Sequence, residues 1–440
     1  MSTQTHPTSR PQSTPEPTRD TTERRPAGGT IVASVVAGAV AALVLALVVF
    51  AGGTEATITG ALLLGFAFGW ALMATLTRRT SEPQRWAVVP AVAMGATGTA
   101  LLVFAPGNDA MTALNRVWPP LLLAMATWMF LRVRRSVRGK ARWVLAPVIG
   151  VLVLTAIGAT YDTIAGTDDL DSYAAPGKLY DVGGRWLHLD CRGHGGPTVV
   201  LANGLGGVSA GWARITAPVA ATTRVCAYDR AGQGWSDEAA SPQDGVESAE
   251  DLHTLLAAAG EHGPFVLVGH STGGTYAMTY AARYPEQVAG LVLLDSSSPE
   301  QFTRMPAYPG QYAMMRRMYG LLPTLSRLGL GQIPTTSHLP AADAAKVTAV
   351  TSAPQYYRNQ RDEASVLPEV FAQAQALTTL GDRPLAVLTA SETSTGTDGW
   401  VGAPDQLAAL SANSVHRTID STHAGMVQDV RPAGESVRAI

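Results

Sequence analysis

The hydrophobic pattern divides the chain in two. Five apolar runs, residues 30–51, 56–77, 86–105, 117–131 and 143–161, alternate with short charged connections. A bilayer core takes about 20 predominantly apolar residues per helix, and buried helices of soluble domains rarely run that long without a charge. The pattern therefore predicts a membrane domain over residues 29–161. The fourth run is the weakest, being short and carrying Pro119 and Pro120 near its start. It can still span if Arg116 snorkels to the interface and the segment begins near Met111.

From residue 177 the period changes. Residues 179–182 and 185–190 flank Gly183-Gly184 as an opening hairpin. Short β-branched runs at 198–202, 223–228, 265–268, 290–294 and 384–389 then alternate with helical stretches, and 416–419 closes the set. This alternation predicts an α/β domain over 177–440, with a mostly parallel sheet covered on both faces by helices. Residues 299–380 interrupt it as a helical cap. There Met314, Met318, Leu321, Leu325 and Leu328 form an apolar stripe near Arg316, Arg317 and Arg327. The stripe is expected to pack on the core, and Pro323 to break any single long helix. Residues 162–176 are acidic and turn-rich, and predict a linker. No internal repeat is visible.

Charge adds an orientation. Basic residues gather in the leader (Arg10, Arg19, Arg24, Arg25), the second connection (Arg78, Arg79, Arg85) and the fourth (Arg132, Arg134, Arg135, Arg138, Lys140, Arg142), whereas the first and third carry only Arg116. By the positive-inside rule the N-terminus is cytoplasmic, and five spans put residue 162 onward outside the cytoplasm. Residues 1–28, rich in Thr, Ser and Pro and followed by a long apolar helix, predict a disordered cytoplasmic tail and not a cleaved signal. At 440 residues, 46% hydrophobic and 15% charged, the chain has room for a bundle and one large domain. A net charge of -2 gives no sign of nucleic-acid binding.

The chemistry concentrates at Gly269-His-Ser-Thr-Gly273, which follows an apolar strand and precedes a helix-like stretch. Glycines around a sharp strand-to-helix turn expose the Ser271 hydroxyl as a nucleophile. Upstream, the strand 198–202 ends in Asn203-Gly-Leu-Gly-Gly207, an oxyanion loop whose candidate donors are the backbone N–H groups of Leu205 and Thr272. Asp229-Arg-Ala-Gly-Gln-Gly-Trp-Ser236 follows the next strand, and its Asp229 reads as a structural, turn-tying residue.

Taken in order, Asn-Gly-x-Gly-Gly, Asp-Arg-x-Gly-x-Gly-x-Ser, Gly-His-Ser-x-Gly-Gly and a late His resemble the α/β-hydrolase superfamily, in its esterase, peptidase and perhydrolase branch, over residues 177–440. Many members carry His-Gly where this chain has Asn203-Gly204. The resemblance implies a triad in the order Ser, Asp or Glu, His. His423, in a loop after the last strand, is then the base. His416 lies within that strand and His270 is a packed neighbour of the nucleophile. The acid stays open between Asp295, at the end of the strand after the elbow helix, Glu392, past the next strand where most members keep it, and Asp398. The family's sheet order makes the strands of Cys191 and Cys226 neighbours, so the pair is a disulfide candidate in an oxidising compartment. No metal-ligand spacing, phosphate loop or nucleotide fingerprint stands out, and the chemistry requires no cofactor. The expected protein is a membrane-anchored serine hydrolase of a small acyl substrate, lipids included, acting on an ester or related bond. Acyl transfer or perhydrolysis on the same triad, and a non-catalytic binding or scaffold domain, are the alternatives.

Overall fold

The computed structural model describes residues 26–137, 141–332, 337–396, 400 and 402–440. The tail through Arg25, Arg138, Lys140 and the candidate acid Asp398 lie outside the described residues.

The first part is a helical bundle: α1 (Gly28–Val44, continued by the π-turn Leu45–Val49), α2 (Glu55–Leu76), α3 (Val88–Phe104), the short α4 (Asn108–Asn115), α5 (Trp118–Ser136) and α6 (Ala141–Ser172). Small residues bring the backbones together. A Cβ on Gly69 would lie 2.7 Å from the Cα of Gly38, and one on Gly60 would lie 2.8 Å from the Gly98 oxygen. This packing suits an environment in which apolar side chains gain nothing by leaving the solvent. Outward positions are apolar too, among them Val36, Val40, Phe68 and Val92.

Four helices, Gly28–Val49, Glu55–Arg79, Arg85–Phe104 and Arg142–Ile164, are long and apolar enough to cross a membrane. The fourth predicted run, 117–131, falls short of them, because α5 closes on Arg132, Arg134 and Arg135. Nevertheless α5 runs from one end of the bundle to the other. At its start Trp118 Nε1 donates to Asn115, whose amide reaches the Thr163 hydroxyl of α6 at 3.0 Å. At its finish the Ser136 hydroxyl meets Gln84 and Trp86 at 2.9 and 3.1 Å. The 162–176 segment is not the expected turn-rich linker, since α6 continues through Ser172. Buried Asp162, facing Asn115, ties its first turn to the bundle.

The second part holds one eight-stranded sheet in the order β1-β2-β4-β3-β5-β6-β7-β8. Its strands are β1 (Lys178–Asp181), β2 (Trp186–Arg192), β3 (Val199–Ala202), β4 (Val225–Tyr228), β5 (Phe265–His270), β6 (Val288–Leu294), β7 (Leu385–Ala390) and β8 (Ser414–Ile419). The opening hairpin pairs antiparallel and the rest run parallel from β4 to β8. β3 and β4 are buried throughout, as an apolar strand must be when helices cover both faces. α7 (Ala213–Ala220), α8 (Gly245–Ala258) and α9 (Gly273–Arg283) supply part of that cover. The chain leaves β3 to one side for β4 and returns to the other side for β5. The crevice at the carboxyl ends of β3 and β5 is therefore a topological switch point, the natural place for a ligand. Cys191 and Cys226 are register partners on β2 and β4 and form a disulfide, with Cα atoms 4.0 Å apart.

Between β6 and β7 the cap comprises α10 (Gln301–Arg304), α11 (Tyr308–Arg327), α12 (Ala341–Thr351) and α13 (Pro354–Ala374). Two expectations are corrected there. α11 runs unbroken through Pro323, because the ring costs one backbone hydrogen bond while the buried stretch around it packs against the bundle. Thr324, next to the proline, bonds Thr59 of α2 at 2.9 Å. The stripe does not pack wholly on the core either: Met314 and Met318 are exposed.

Candidate active site

Ser271 follows β5 with φ 57°, a left-handed conformation that non-glycine residues rarely hold. It is fixed on both sides. Its N–H donates to the Leu294 oxygen at 3.2 Å, and its carbonyl accepts from the N–H groups of Ser297 and Gly274 at 3.0 and 3.1 Å. The turn demands close approaches. A Cβ at residue 269 would overlap Gly274, and one at residue 204 would lie 2.8 Å from Ser271 Cβ. Glycine at 204 thus lets the loop after β3 come down over the serine.

Asp295 directly follows β6 and is held, like Ser271, at positive φ (42°). Its Oδ1 accepts from the Ala390 N–H at 2.9 Å, and its Oδ2 from the Thr393 hydroxyl at 2.6 Å and His423 Nδ1 at 2.5 Å. Burial pushes its pKa up, but the bonds from His423, Thr393 and Ala390 outweigh it, so the net shift is downward. Asp295 therefore stays ionised and keeps the imidazole proton on Nδ1, leaving Nε2 as the acceptor. Glu392 sits on the same loop in a different role, its carboxylate accepting the backbone N–H of His423 at 2.8 Å.

His270 donates from Nε2 to the His423 carbonyl at 3.0 Å, with the rings 4.6 Å apart. Burial, reinforced by the nearby His423, lowers its pKa to about 4, so it is a neutral prop for the His423 loop. His416 lies elsewhere, between Asp405 and Thr389.

Neither Leu205 N–H nor Thr272 N–H meets an acceptor among the described residues, so both remain available to a developing oxyanion. The Asn203 side chain is engaged inside the fold, donating to the Tyr228 oxygen at 2.8 Å and accepting from Trp212 Nε1 at 2.6 Å. Asp229 accepts from Ser209 N–H at 2.7 Å and from His188 Nδ1 at 2.8 Å. The other ring nitrogen of His188 meets the Pro176 carbonyl. Burial lowers the His188 pKa, but Asp229 and Pro176 more than offset it, for a net rise.

Ser271, His423, His270 and the oxyanion loop line one pocket of about 440 Å³, bordered on the cap side by Val347, Thr348, Thr351, Tyr356 and Tyr357. No hydrogen bond joins Ser271 to His423 among the described residues, a pairing that commonly tightens only with substrate bound. Apart from the two histidines, none of the cavity's described lining residues is titratable except the two tyrosines, and none carries a fixed charge.

One described cluster has three metal-type side chains, Cys191, Cys226 and Glu261. Its sulfurs are in the disulfide and its carboxylate pairs with Arg224, so it offers no free ligand set. Sequence reasoning missed Glu363, a buried cap carboxylate that pairs with Arg230 at 2.7 Å. The Asp229-Arg230 motif was a signal for a buried cation, but its partner is 133 residues away.

The family model described as "alpha/beta hydrolase fold" matches residues 197–428. The chain belongs to the α/β-hydrolase family. Among its relatives, a candidate carbamate hydrolase of Azorhizobium caulinodans is 34% identical over 109 residues, 25% of this chain and 40% of that protein. The acetyltransferase component of the acetoin cleaving system of Pseudomonas putida is 37% identical over 127 residues, 28% of this chain and 33% of that one. The chain spans 20% to 52% of the length of the first curated relatives it matches. Among solved structures, the enol-lactonase of Burkholderia xenovorans covers 59% of this chain and 97% of its own, at 19% identity and TM-score 0.45.

Proposed function

We propose that this chain is a membrane-anchored serine hydrolase that cleaves an ester or related acyl bond through an acyl-enzyme. The observation that carries the reading is the His423 imidazole, bonded at Nδ1 to Asp295 and sharing a cavity with the strained Ser271. Ser271 Oγ attacks the acyl carbonyl while His423 Nε2 takes its proton. The backbone N–H groups of Leu205 and Thr272 receive the negative charge on the carbonyl oxygen, and the imidazolium protonates the leaving group. Water, deprotonated by the same nitrogen, then releases the acid. Asp295 is the acid of this reading, and Glu392 braces the loop. A cavity without fixed charges suits a neutral acyl group, because a buried ionic substituent would go unpaired there. The kinship with a candidate carbamate hydrolase supports hydrolysis of a carbonyl compound.

The same proposal sets the hydrolase domain outside the cytoplasm. In the bundle, Arg78, Arg79 and Arg85 lie at the end where Gln84 meets Ser136, whereas α11 of the cap packs at the opposite end, against Gly52 and Glu55. With basic residues on the cytoplasmic side, the cap end faces out.

A fluorophosphonate probe tests the nucleophile. Wild type should label and Ser271→Ala should not; equal labelling of both removes Ser271 from the mechanism. A panel of esters differing only in acyl charge should show preference for the neutral members.

A further inference from the structure

The oxyanion loop is held by the cap. Glu363 of α13 accepts the Gly206 N–H at 3.2 Å and pairs with Arg230. Arg230 donates to the carbonyl oxygens of Asn203 at 2.6 Å and Gly204 at 3.3 Å, with its guanidinium 4.1 Å from the Tyr276 ring centroid. Gln360, on the same helix, packs on Gly206. The polar groups on either side of Leu205 are thus tied to α13 and its ion pair, while the Leu205 N–H between them stays without a protein acceptor.

Five residues before Glu363, the same helix meets the membrane-type bundle. Arg358 lies 2.7 Å from Glu238 and 3.9 Å from Glu55, the first residue of α2. Glu55 is buried and also pairs with Arg327 of α11. The Arg327 guanidinium further reaches Asn108 at 3.2 Å and Thr112 at 3.3 Å, in the connection before α5. One carboxylate of the bundle therefore stands between two buried cap arginines. Without it, Arg358 would keep Glu238, but buried Arg327 would lose its carboxylate partner in a desolvated interface, a costly arrangement.

We propose that Glu55 is a positioning residue for the reaction. It seats α11 and α13 on the bundle, and α13 in turn holds the oxyanion loop, so the membrane domain is a working part of the active site and more than an anchor. This inference rests on the serine-hydrolase reading of Ser271. The linkage is physical at every step: Glu55 to Arg358 and Arg327, Arg358 along one helix to Glu363, and Glu363 to Gly206 and Arg230. A shift of that helix moves the Leu205 donor, and misplacement by about 1 Å can cost on the order of 100-fold in rate.

The test uses the full chain in nanodiscs, with a neutral acyl ester and the fluorophosphonate probe. Glu55→Gln and Glu363→Gln should each lower kcat by roughly 10- to 100-fold with little change in KM, and slow labelling of Ser271 to match. A merely structural role would instead lower the fraction of active protein and leave its kcat unchanged. Arg327→Lys, which keeps the charge but loses the planar fork, provides the milder variant if Glu55→Gln fails to assemble, and should shift kcat in the same direction. Glu55→Gln with Arg327→Gln should cost no more than the worse single variant, because the two act through one link. Wild-type kcat in Glu55→Gln or in Arg327→Lys, with Glu363→Gln impaired, would overturn the role of the bundle. Wild-type kcat in Glu363→Gln would overturn the brace itself. Activity retained by Ser271→Ala would instead strike the underlying hydrolase reading, and is distinguished by that variant alone.

Discussion

His423 Nδ1 stands 2.5 Å from Asp295 Oδ2, while the nearby Glu392 carboxylate accepts the main-chain N–H of the same histidine at 2.8 Å. Two carboxylates therefore serve one residue in different ways. Asp295 bonds the ring and, in the proposed mechanism, stabilises the imidazolium, whereas Glu392 bonds the loop that carries it. The difference comes from the backbone: Asp295, in a left-handed conformation at the end of β6, is aimed at the ring, with Ala390 and Thr393 saturating the rest of its carboxylate.

Asp295→Asn should lower kcat by about 10³- to 10⁴-fold, because an amide there favours the wrong imidazole tautomer. Glu392→Gln keeps an acceptor for the His423 N–H and should cost far less. Steady-state kinetics on both variants, at matched thermal stability, decide the assignment; the reverse ranking would move the acid to Glu392.

Gly204→Ala should slow acylation without abolishing folding. Its Cβ would lie 2.8 Å from Ser271 Cβ, and the loop must shift to admit it. Displacing one oxyanion donor is worth on the order of 100-fold in kcat. Labelling kinetics of Ser271 in the purified variant measure the loss directly, and an unchanged rate would place the Leu205 donor outside the mechanism.

The pH dependence of stability should have an acid limb set by His270. Its folded pKa, about 4, lies below the unfolded value of 6.5, so the unfolded chain binds the proton first. Stability is complete above about 6.5 and is lost as pH falls toward 4, to an extent on the order of 3 kcal/mol. His270→Gln should flatten this part of the profile in denaturant titrations at pH 7, 5.5 and 4. Parallel profiles for the variant and wild type would show that other groups carry the acid limb.

His188 acts in the opposite sense. Its folded pKa is raised, so its contribution is fully present below about 6.5 and is lost as pH rises through the folded value. His188→Gln should therefore lose more stability relative to wild type at pH 6 than at pH 9. A constant difference across that range would mean that the ring is neutral in the fold.

The disulfide and the topology can be checked together. Removing the Cys191 to Cys226 bond, which closes a sequence separation of 35 residues, should cost roughly 2–4 kcal/mol, read as a lower denaturation midpoint in Cys191→Ala/Cys226→Ala. A reporter active only outside the cytoplasm should work when fused after Ile440 and fail when fused after Arg138. Free thiols in the intact protein together with a silent C-terminal reporter would reverse the proposed orientation.

Local pattern was enough for the features that depend on neighbours in the chain. The apolar runs, the eight strands, the glycine-flanked turn at Ser271 and the loop Asn203 to Gly207 all arise from short-range sterics and periodicity, which a few consecutive residues specify. Relations between distant residues were not legible. Asp295 and Glu392 both follow strand ends, and only their directions in the folded sheet separate the ring from the main chain as their partner. Pro323 looked like a helix break because its cost is local, yet the packing of α11 on the bundle outweighs that cost. Residues 162–172 looked like a linker because their Asp, Thr and Gly residues are weak helix formers alone, whereas tertiary contacts of Asn115 with Asp162 and Thr163 carry α6 onward. Glu363 and Glu55 left no trace in any motif. Each is a single carboxylate whose meaning depends on an arginine more than 100 residues away, and only the tertiary structure brings such charges together.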